Sequence, residues 1–388
     1  MSGNEIIGKE ELNQIKKIFT QSNGVLFAHG FDKRRNNIFR TKIFEKNFAK
    51  YMRCKYAVSC SSGTAAGTLA LISLGIKPGD EVITQAFTFI AVIESILMAG
   101  ASPIIVDTDD TLGMCPKDLE KKINKKTKCI IPVHMLGYNC DMKEIIRISK
   151  KRNIPIIEDA CESLGTKYKE KYSGTLGKIG FYSLDFGKII TTGEGGMIVT
   201  NSKKIYYKLK ALRDHGHENK KGVHRGLDRA LLPGFNFRMT ELQAAVGLAQ
   251  LKKLKKILRL KKKNFTLLKN ILKGNNHISF RKENKNHTNQ CDYLCIQIKN
   301  KLFAKKYYKF FLKKKLPTGI LPVAMKWHFA GNWNHIWKKQ LKNKTNYQNK
   351  WGNCKNLLNK TLSIPISIKS SQSEIVKIGS KINSIIVQ

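Results

Sequence analysis

The sequence is poor in acidic residues. Its 388 residues include 28 Asp and Glu against 71 Lys and Arg, which gives a formal net charge of +43. Such an excess is typical of proteins that bind nucleic acids or anionic membranes. Arginine is also scarce, at 12 positions, so the excess is almost entirely lysine, whereas proteins that read a DNA duplex favour arginine. An AT-rich coding sequence produces the same abundance of Lys, Asn and Ile, and we favour this compositional explanation over nucleic-acid binding.

The shortage of acidic side chains is greatest after residue 250, where only Glu283, Asp292 and Glu374 carry a carboxylate. This part of the chain therefore has a positive field, which would attract anionic substrates. The field assists binding but does not define a function.

Long apolar runs and paired cysteines are missing as well. No run reaches the ~18 apolar residues that a membrane-spanning helix needs, and the initial segment MSGNEIIGKEELNQIKK lacks the apolar core of a secretory signal. The nine cysteines show no C-x-x-C pair, so neither a zinc site nor a disulfide framework is indicated. We expect a cytoplasmic protein with no metal site and with neither a membrane nor a nucleic acid as its partner.

What the sequence does contain is an alternation of short apolar runs and amphipathic segments. The runs DEVITQA, SPIIVD, KCIIPVH and IPIIEDA are separated by helix-like stretches, a pattern typical of parallel strands buried by crossover helices. We predict a large α/β domain with a mainly parallel sheet over residues 1–255. A long amphipathic helix over residues 240–272, followed by the strand-like segments YLCIQI and LSIPISI, predicts a smaller α+β domain over residues 256–388.

Three segments carry residues suited to catalysis. The segment Ser61-Ser62-Gly63-Thr64-Ala65 follows a predicted strand and opens a helix, which makes a phosphate cup or simply a capped helix start. Asp159 ends a buried strand, where a carboxylate stabilises a protonated ring nitrogen. Lys188 lies among apolar residues and glycines, as a Schiff-base lysine does. In this order the three segments predict a pyridoxal phosphate site.

The chain resembles the DegT/DnrJ/EryC1/StrS family of sugar aminotransferases. The resemblance covers most of the chain and rests on CSSGTAA, GIKPGDEVITQAFTFIA, IIPVHMLG, IIEDACESLG, TTGEGGMIVTN and GFNFRMTELQAAVGLAQL. It implies the aspartate aminotransferase fold (fold type I) with a mainly parallel, seven-stranded-type sheet, and pyridoxal 5'-phosphate as the cofactor. It also implies a homodimer with a shared active site, which moves an amino group from glutamate, released as 2-oxoglutarate, to a keto or aldehydo sugar for surface polysaccharide or lipopolysaccharide.

The resemblance also implies roles around the cofactor ring. Lys188 would bind the cofactor aldehyde and move protons, and Asp159 would pair with the pyridine nitrogen. Phe89, in AFTFIA, would lie on the ring. Glu162 occupies a position near the ring hydroxyl where the family often has Gln or His.

The cofactor phosphate has its own implied partners. By the resemblance, Gly63, Thr64 and Ser183 would hold it within one subunit, and Asn236 would reach it from the neighbouring subunit. A site assembled in this way requires the dimer.

Two features depart from the general family pattern. Before the lysine the chain has SLDFGK, where family members often have SFHPxK, so Leu184 and Asp185 replace Phe and His. The segments around residues 213–236 and 325–337 are also unusual for the family. They supply a cationic and aromatic set suited to an acidic or hydroxylated sugar: His215, His217, Arg225, Arg229, His328 and Trp333. Packing of the small domain is an equal explanation for the aromatic residues of the second segment.

Several functions remain open on these grounds. The unusual segments are similar to those of family members that aminate C8 of an oxidised 3-deoxy-octulosonate, whose substrate is a carboxylate. A nucleotide-linked 4-keto-6-deoxy sugar is the alternative acceptor. Less favoured are a sugar dehydratase, since such relatives carry His in place of Lys188, and a non-catalytic nucleic-acid-binding relative, since all cofactor positions are intact.

Overall fold

The computed structural model describes residues 3–220, 223–299, 304–340 and 350–386. The α-helices are α1 (Lys9–Gln21), α2 (Arg40–Met52), α3 (Gly63–Leu74), α4 (Ala91–Met98), α5 (Pro116–Lys122), α6 (Met142–Arg152), α7 (Lys203–Leu212), α8 (Glu241–Leu272), α9 (Ala304–Lys313), α10 (Met325–His328), α11 (Gly352–Lys360) and α12 (Gln372–Ile386). The strands are β1 (Tyr56–Cys60), β2 (Glu81–Gln85), β3 (Ser102–Val106), β4 (Thr127–Ile131), β5 (Ile157–Asp159), β6 (Lys167–Tyr168), β7 (Lys171–Tyr172), β8 (Ile179–Ser183), β9 (Gly196–Thr200), β10 (Ile278–Phe280), β11 (Tyr293–Ile298) and β12 (Thr361–Pro365). In these ranges no helix has both the length and the apolar character that crossing a bilayer requires.

The central sheet confirms the predicted α/β fold. Four strands pair in the order β1-β9-β8-β5, and three pair in the order β3-β2-β4. Parallel bridges from Ile130 to Ile156 and from Val133 to Asp159 join β4 to β5. The result is one seven-stranded sheet in which only β9 runs antiparallel to its neighbours. Its strands are short apolar runs because helices cover both faces, as is typical of parallel sheets.

The strand directions determine where a site can form. Strands β1, β2, β4, β5 and β8 all run the same way, so their carboxyl ends lie at one edge of the sheet. Open α/β sheets bind ligands at this edge. The segments that follow these strands therefore converge there, although they lie far apart in sequence.

The C-terminal third forms a second, antiparallel sheet in the order β10-β11-β12. Helices α9 and α12 pack on this sheet around a core that contains Leu294, Ile296 and Phe311. Helix α8 is continuous over 32 residues, so the predicted domain boundary at residue 255 falls inside one helix. The division into domains 1–255 and 256–388 stays a prediction.

One part of the C-terminal third belongs to the core of the large sheet. Phe329, Trp333 and Trp337 are buried in the same cluster as Val82 and Ile131. The backbone of this segment is hydrogen-bonded to the segment after β2. The Ala330 N–H donates to the Ala86 carbonyl, and the Ile90 N–H donates to the Trp327 carbonyl. The C-terminal chain is thereby attached directly to the edge of the sheet where the site lies.

Candidate active site

The predicted lysine and carboxylates meet at the carboxyl edge of the sheet. Asp159 is the last residue of β5 and Ser183 is the last residue of β8, and these two strands are paired. Lys188 follows β8 after a tight turn in which its N–H donates to the Asp185 carbonyl at 3.0 Å. The turn brings the lysine side chain back towards the strand ends.

Lys188 is paired with Glu162. Its Nζ lies 3.3 Å from Glu162 Oε1, and Glu162 Oε2 accepts a hydrogen bond from Leu136 N–H at 2.9 Å. Burial alone would lower the pKa of Lys188, but the neighbouring acidic groups, led by Glu162 and including Asp185, together raise that pKa. Burial would likewise raise the pKa of Glu162, but the charge of Lys188 and the hydrogen bond from Leu136 N–H lower it. Lys188 and Glu162 thus form an ammonium–carboxylate pair.

Asp159 is buried yet has spare hydrogen-bonding capacity. Its Oδ1 accepts one hydrogen bond, from Cys161 N–H at 2.9 Å. Burial raises its pKa, because a carboxylate without a cationic partner is costly away from water. A ligand that presents a protonated ring nitrogen would satisfy this side chain.

The start of helix α3 supplies donors at the same edge. Ser62 caps the helix by accepting from Ala65 N–H at 3.0 Å, whereas the N–H groups of Gly63 and Thr64 make no hydrogen bond within the described residues. A Cβ atom at Gly63 would lie 2.8 Å from the Ser183 Cβ, so glycine is what permits this close approach. Two free N–H groups and the Ser183 hydroxyl suit a phosphate group.

An aromatic ring and a histidine complete the group. Phe89 is 44% exposed although it lies among buried neighbours, and its ring centroid is 5.4 Å from that of His328. The Thr88 N–H donates to the His328 carbonyl, which ties the histidine to the Phe89 segment. An exposed aromatic face, an amine, an acid and phosphate donors together fit pyridoxal phosphate.

The loop residues predicted to contact substrate form a separate network. Arg225 donates two hydrogen bonds to Asp214 at 2.6 and 2.8 Å, and Arg238 donates a third. Burial would raise the pKa of Asp214, but these arginines outweigh it and lower that pKa. The other members pair with nearby carboxylates, His217 with Asp228 and Arg229 with Glu218.

His215 and Asn236 lie next to this network on paired backbone. The His215 N–H donates to the Phe235 carbonyl, and Asn236 bridges to Asp214. Both side chains are exposed. They are available to a partner subunit or a substrate, and the roles predicted for them stay predictions.

The aromatic segment divides between packing and exposure. Trp333 is fully buried, and its Nε1 donates to the Lys326 carbonyl at 2.9 Å, which corresponds to the packing alternative. Trp327, which the sequence argument did not select, is 54% exposed and lies next to His328. Nothing in the amino-acid pattern distinguishes the two tryptophans, because their environment depends on how this segment docks on the large sheet.

Two buried residues behind the site were also missed. Glu158 and His134 are fully buried, and the His134 Nε2 lies 3.3 Å from Glu158 Oε2. Their signal was present in the sequence, since Glu158 stands in the same IIED segment as Asp159. A carboxylate inside a buried strand needs partners, and that requirement alone could have identified it.

The sequence profile of the DegT/DnrJ/EryC1/StrS aminotransferase family matches residues 35–383. The chain belongs to this family. The resemblance seen in the sequence is thus confirmed.

Individual relatives agree with this membership. The GDP-perosamine synthase of Escherichia coli O157:H7 is 46% identical over 209 residues, which are 54% of this chain and 56% of that protein. The chain thus spans about half the length of the curated relatives it matches. The crystal structure of an aminotransferase from Psychrobacter cryohalolentis superposes with a TM-score of 0.85 at 25% identity, covering 98% of this chain and 97% of that one.

A second solved structure shares the fold but is named for a different reaction. A GDP-4-keto-6-deoxymannose-3-dehydratase variant with bound GDP-perosamine superposes with a TM-score of 0.84 at 25% identity, covering 97% of this chain and 98% of that chain. Members with such similar folds are therefore distinguished by the residues of their sites and not by their architecture.

Proposed function

We propose that this family member is a pyridoxal phosphate-dependent aminotransferase that moves an amino group from glutamate to a nucleotide-linked 4-keto-6-deoxy sugar. The observation that carries the proposal is the position of Lys188 at the edge of the sheet, beside Glu162 and close to Asp159, whose carboxylate has spare hydrogen-bonding capacity. The alternative dehydratase function predicts histidine where this chain has Lys188.

The nucleotide-linked acceptor is favoured over the octulosonate by the relatives. The E. coli protein is named as a GDP-perosamine synthase, and the structural neighbour holds GDP-perosamine. The positive field of the C-terminal third suits a diphosphate as well as it suits a sugar acid.

The chain's own residues would hold the cofactor by its ends. Gly63, Thr64 and Ser183 would bind the phosphate, and Phe89 would cover one face of the ring. Asp159 would accept the hydrogen bond of the protonated ring nitrogen, which keeps that nitrogen cationic. When bound, pyridoxal phosphate supplies an electron sink for the carbon that carries the amino group.

Lys188 would act first as a nucleophile and then as the proton carrier. Its Nζ would hold the cofactor at its aldehyde and, when free, would carry a proton between carbons of the bound substrate. Glu162 lies 3.3 Å from Nζ and would hold the released ammonium in place between these transfers. Glutamate would be the donor of the amino group and the keto sugar its acceptor, with Lys188 in the same role for both substrates.

The proposal includes a homodimer. The exposed side chain of Asn236 makes no hydrogen bond within the described residues, and it stands where the family supplies a phosphate contact to the neighbouring subunit. Light scattering of the purified protein tests this, since a monomer that retained full activity would contradict the shared site.

An absorbance spectrum tests the function directly. Purified protein supplied with pyridoxal phosphate is expected to show the visible band of the lysine-bound cofactor, and glutamate is expected to convert it to the pyridoxamine form. GDP-4-keto-6-deoxymannose is then expected to restore the original band. A protein that takes up no cofactor, or that does not respond to glutamate, would contradict the proposal.

A further inference from the structure

His328 enters the site from the C-terminal third in a defined tautomer. Its Nδ1 lies 2.9 Å from the Ala324 carbonyl oxygen. Because a carbonyl oxygen only accepts, Nδ1 must carry the ring proton. In the neutral ring, Nε2 is then a hydrogen-bond acceptor.

The surroundings favour this neutral ring. Burial lowers the pKa of His328, and the nearby charge of Lys188 acts in the same direction, whereas the charge of Glu162 and the hydrogen bond to Ala324 oppose them. His328 is 8% exposed and stands beside Phe89. It therefore lies beside the ring of Phe89 and within the electrostatic influence of Lys188.

The acceptor atom of this ring is not used by the protein. His328 Nε2 makes no hydrogen bond with the described residues, and this atom is not fully enclosed by the protein. The hydrogen bond to Ala324 orients the ring, and the hydrogen bond from Thr88 N–H holds the His328 backbone. A fixed, accessible acceptor beside Phe89, at the sheet edge where Lys188 also lies, is suited to bind a substrate hydroxyl.

We propose that His328 determines acceptor specificity by accepting, at Nε2, a hydrogen bond from a hydroxyl of the keto sugar. This inference rests on the proposed function and deepens it. The two substrates that share the site differ away from the reacting nitrogen, because the sugar presents hydroxyl donors whereas the two carboxylates of glutamate only accept. A neutral imidazole acceptor would therefore favour the sugar hydroxyls over the glutamate carboxylates.

Two substitutions separate this role from a structural one. In His328→Asn the amide nitrogen lies near the position of Nδ1, so the bond to Ala324 is kept and the acceptor is lost. In His328→Gln the longer amide reaches the position of Nε2, so the acceptor is kept and the bond to Ala324 is lost. The pair is matched, since each variant removes one of the two ring functions.

The two half-reactions are measured separately by the cofactor absorbance, with glutamate and with GDP-4-keto-6-deoxymannose. We expect both variants to react with glutamate within about twofold of the wild type. With the sugar, we expect His328→Asn to lose about tenfold in kcat/KM, which is the effect of one neutral hydrogen bond, and His328→Gln to stay within about threefold. Calorimetry gives a readout independent of turnover, with GDP-perosamine binding weakened about tenfold in His328→Asn only.

Two results would overturn the inference. Equal losses in both half-reactions would assign His328 to packing, and a loss in His328→Gln without one in His328→Asn would assign it to the Ala324 contact. A wild-type protein that fails the glutamate half-reaction would instead overturn the proposed function, so the two failures are distinguishable.

Discussion

The two sides of strand β5 use their carboxylates in opposite ways. Glu158 and Asp159 are adjacent, and because successive side chains in a strand point to opposite faces, one lies behind the site and the other lies in it. Glu158 accepts from Gly174, Leu176 and Gly177 N–H at 2.6 to 2.8 Å, and it is also paired with His134. Asp159 accepts from one backbone N–H. Where hydrogen-bonding capacity is fully used the residue builds structure, and where it is left free a ligand can bind.

The hydrogen bonds of Glu158 also support the residues of the site. The His134 Nδ1 accepts from Cys140 N–H at 3.2 Å, so Nε2 carries the proton that is shared with Glu158. The loop that Glu158 holds contacts the next strand, since the Tyr182 hydroxyl donates to the Ser173 carbonyl at 2.8 Å. Tyr182 precedes Ser183 in β8, and Lys188 follows. The hydrogen-bond network around Glu158 thereby positions Ser183 and Lys188 at the edge of the sheet.

The largest effect on activity is expected from Lys188→Ala, in the site itself. The variant removes both the covalent link to the cofactor and the proton carrier, so we expect transamination to fall at least about 10⁴-fold, the upper range for loss of a general acid–base group. Its thermal unfolding should stay close to that of the wild type. Steady-state rates and a melting curve check both statements, and a wild-type rate would end the assignment of Lys188.

Asp159→Asn is expected to have the next largest effect. The amide oxygen can still accept from Cys161 N–H, so the fold is retained, but the negative charge that keeps a ring nitrogen protonated is lost. We expect a loss on the order of 10² to 10³ in kcat, the range for one electrostatic contact at a reacting centre. The midpoint of urea unfolding should change little. A variant that was unstable but fully active would reverse the comparison between the two carboxylates.

Glu158→Gln should show the opposite pattern. The Gln side-chain NH₂ would face backbone N–H donors and leave one of them unpaired, so we expect the free energy of unfolding to fall by about 3 kcal/mol. Activity per folded molecule should change less than about tenfold. Urea unfolding measures the first effect.

The matched control for that experiment is Glu170→Gln, since the Glu170 side chain is 87% exposed and only loosely paired with Lys167. Substitutions at such surface positions usually stay within about 0.5 kcal/mol. Equal losses of stability in the two variants would mean that the buried network does not hold the fold.

This contrast also shows how far the sequence could lead. The apolar runs predicted the parallel sheet, and the order of the Gly63, Asp159 and Lys188 segments predicted a group that the structure does bring together at one sheet edge. Both signals are local, because strand periodicity and strand-end position are properties of short segments.

The remaining features depend on tertiary contacts. Alternation along β5 places Glu158 and Asp159 on opposite faces, but nothing in IIED says which face lies behind the site. Trp327 and Trp333 are equally aromatic, and only the docking of their segment on the Phe87–Phe89 backbone exposes one and buries the other.

The smallest effect is expected from Glu162→Gln, which removes the charge beside Lys188 but keeps an acceptor for Leu136 N–H. In the wild type, burial would lower the pKa of Lys188, but the neighbouring acidic groups, led by Glu162, together raise it. Loss of the Glu162 charge removes the largest of these raising contributions, so the pKa of Lys188 should fall and more of the amine is uncharged at a given pH. Steady-state transamination should change less than about tenfold, since Lys188 itself is intact.

The loading of cofactor-free protein with pyridoxal phosphate reveals the charge effect more directly. The uncharged amine is the nucleophile, so the rate in the wild type should keep rising with pH into the alkaline range. In Glu162→Gln the same rise should occur at lower pH, with about tenfold more reactive amine for each unit that the pKa falls. Glu162→Asp keeps the charge and should restore the wild-type profile in part. Identical pH profiles in all three proteins would mean that Glu162 does not raise the pKa of Lys188. Its role would then be structural, like that of Glu158, and unlike that of Asp159.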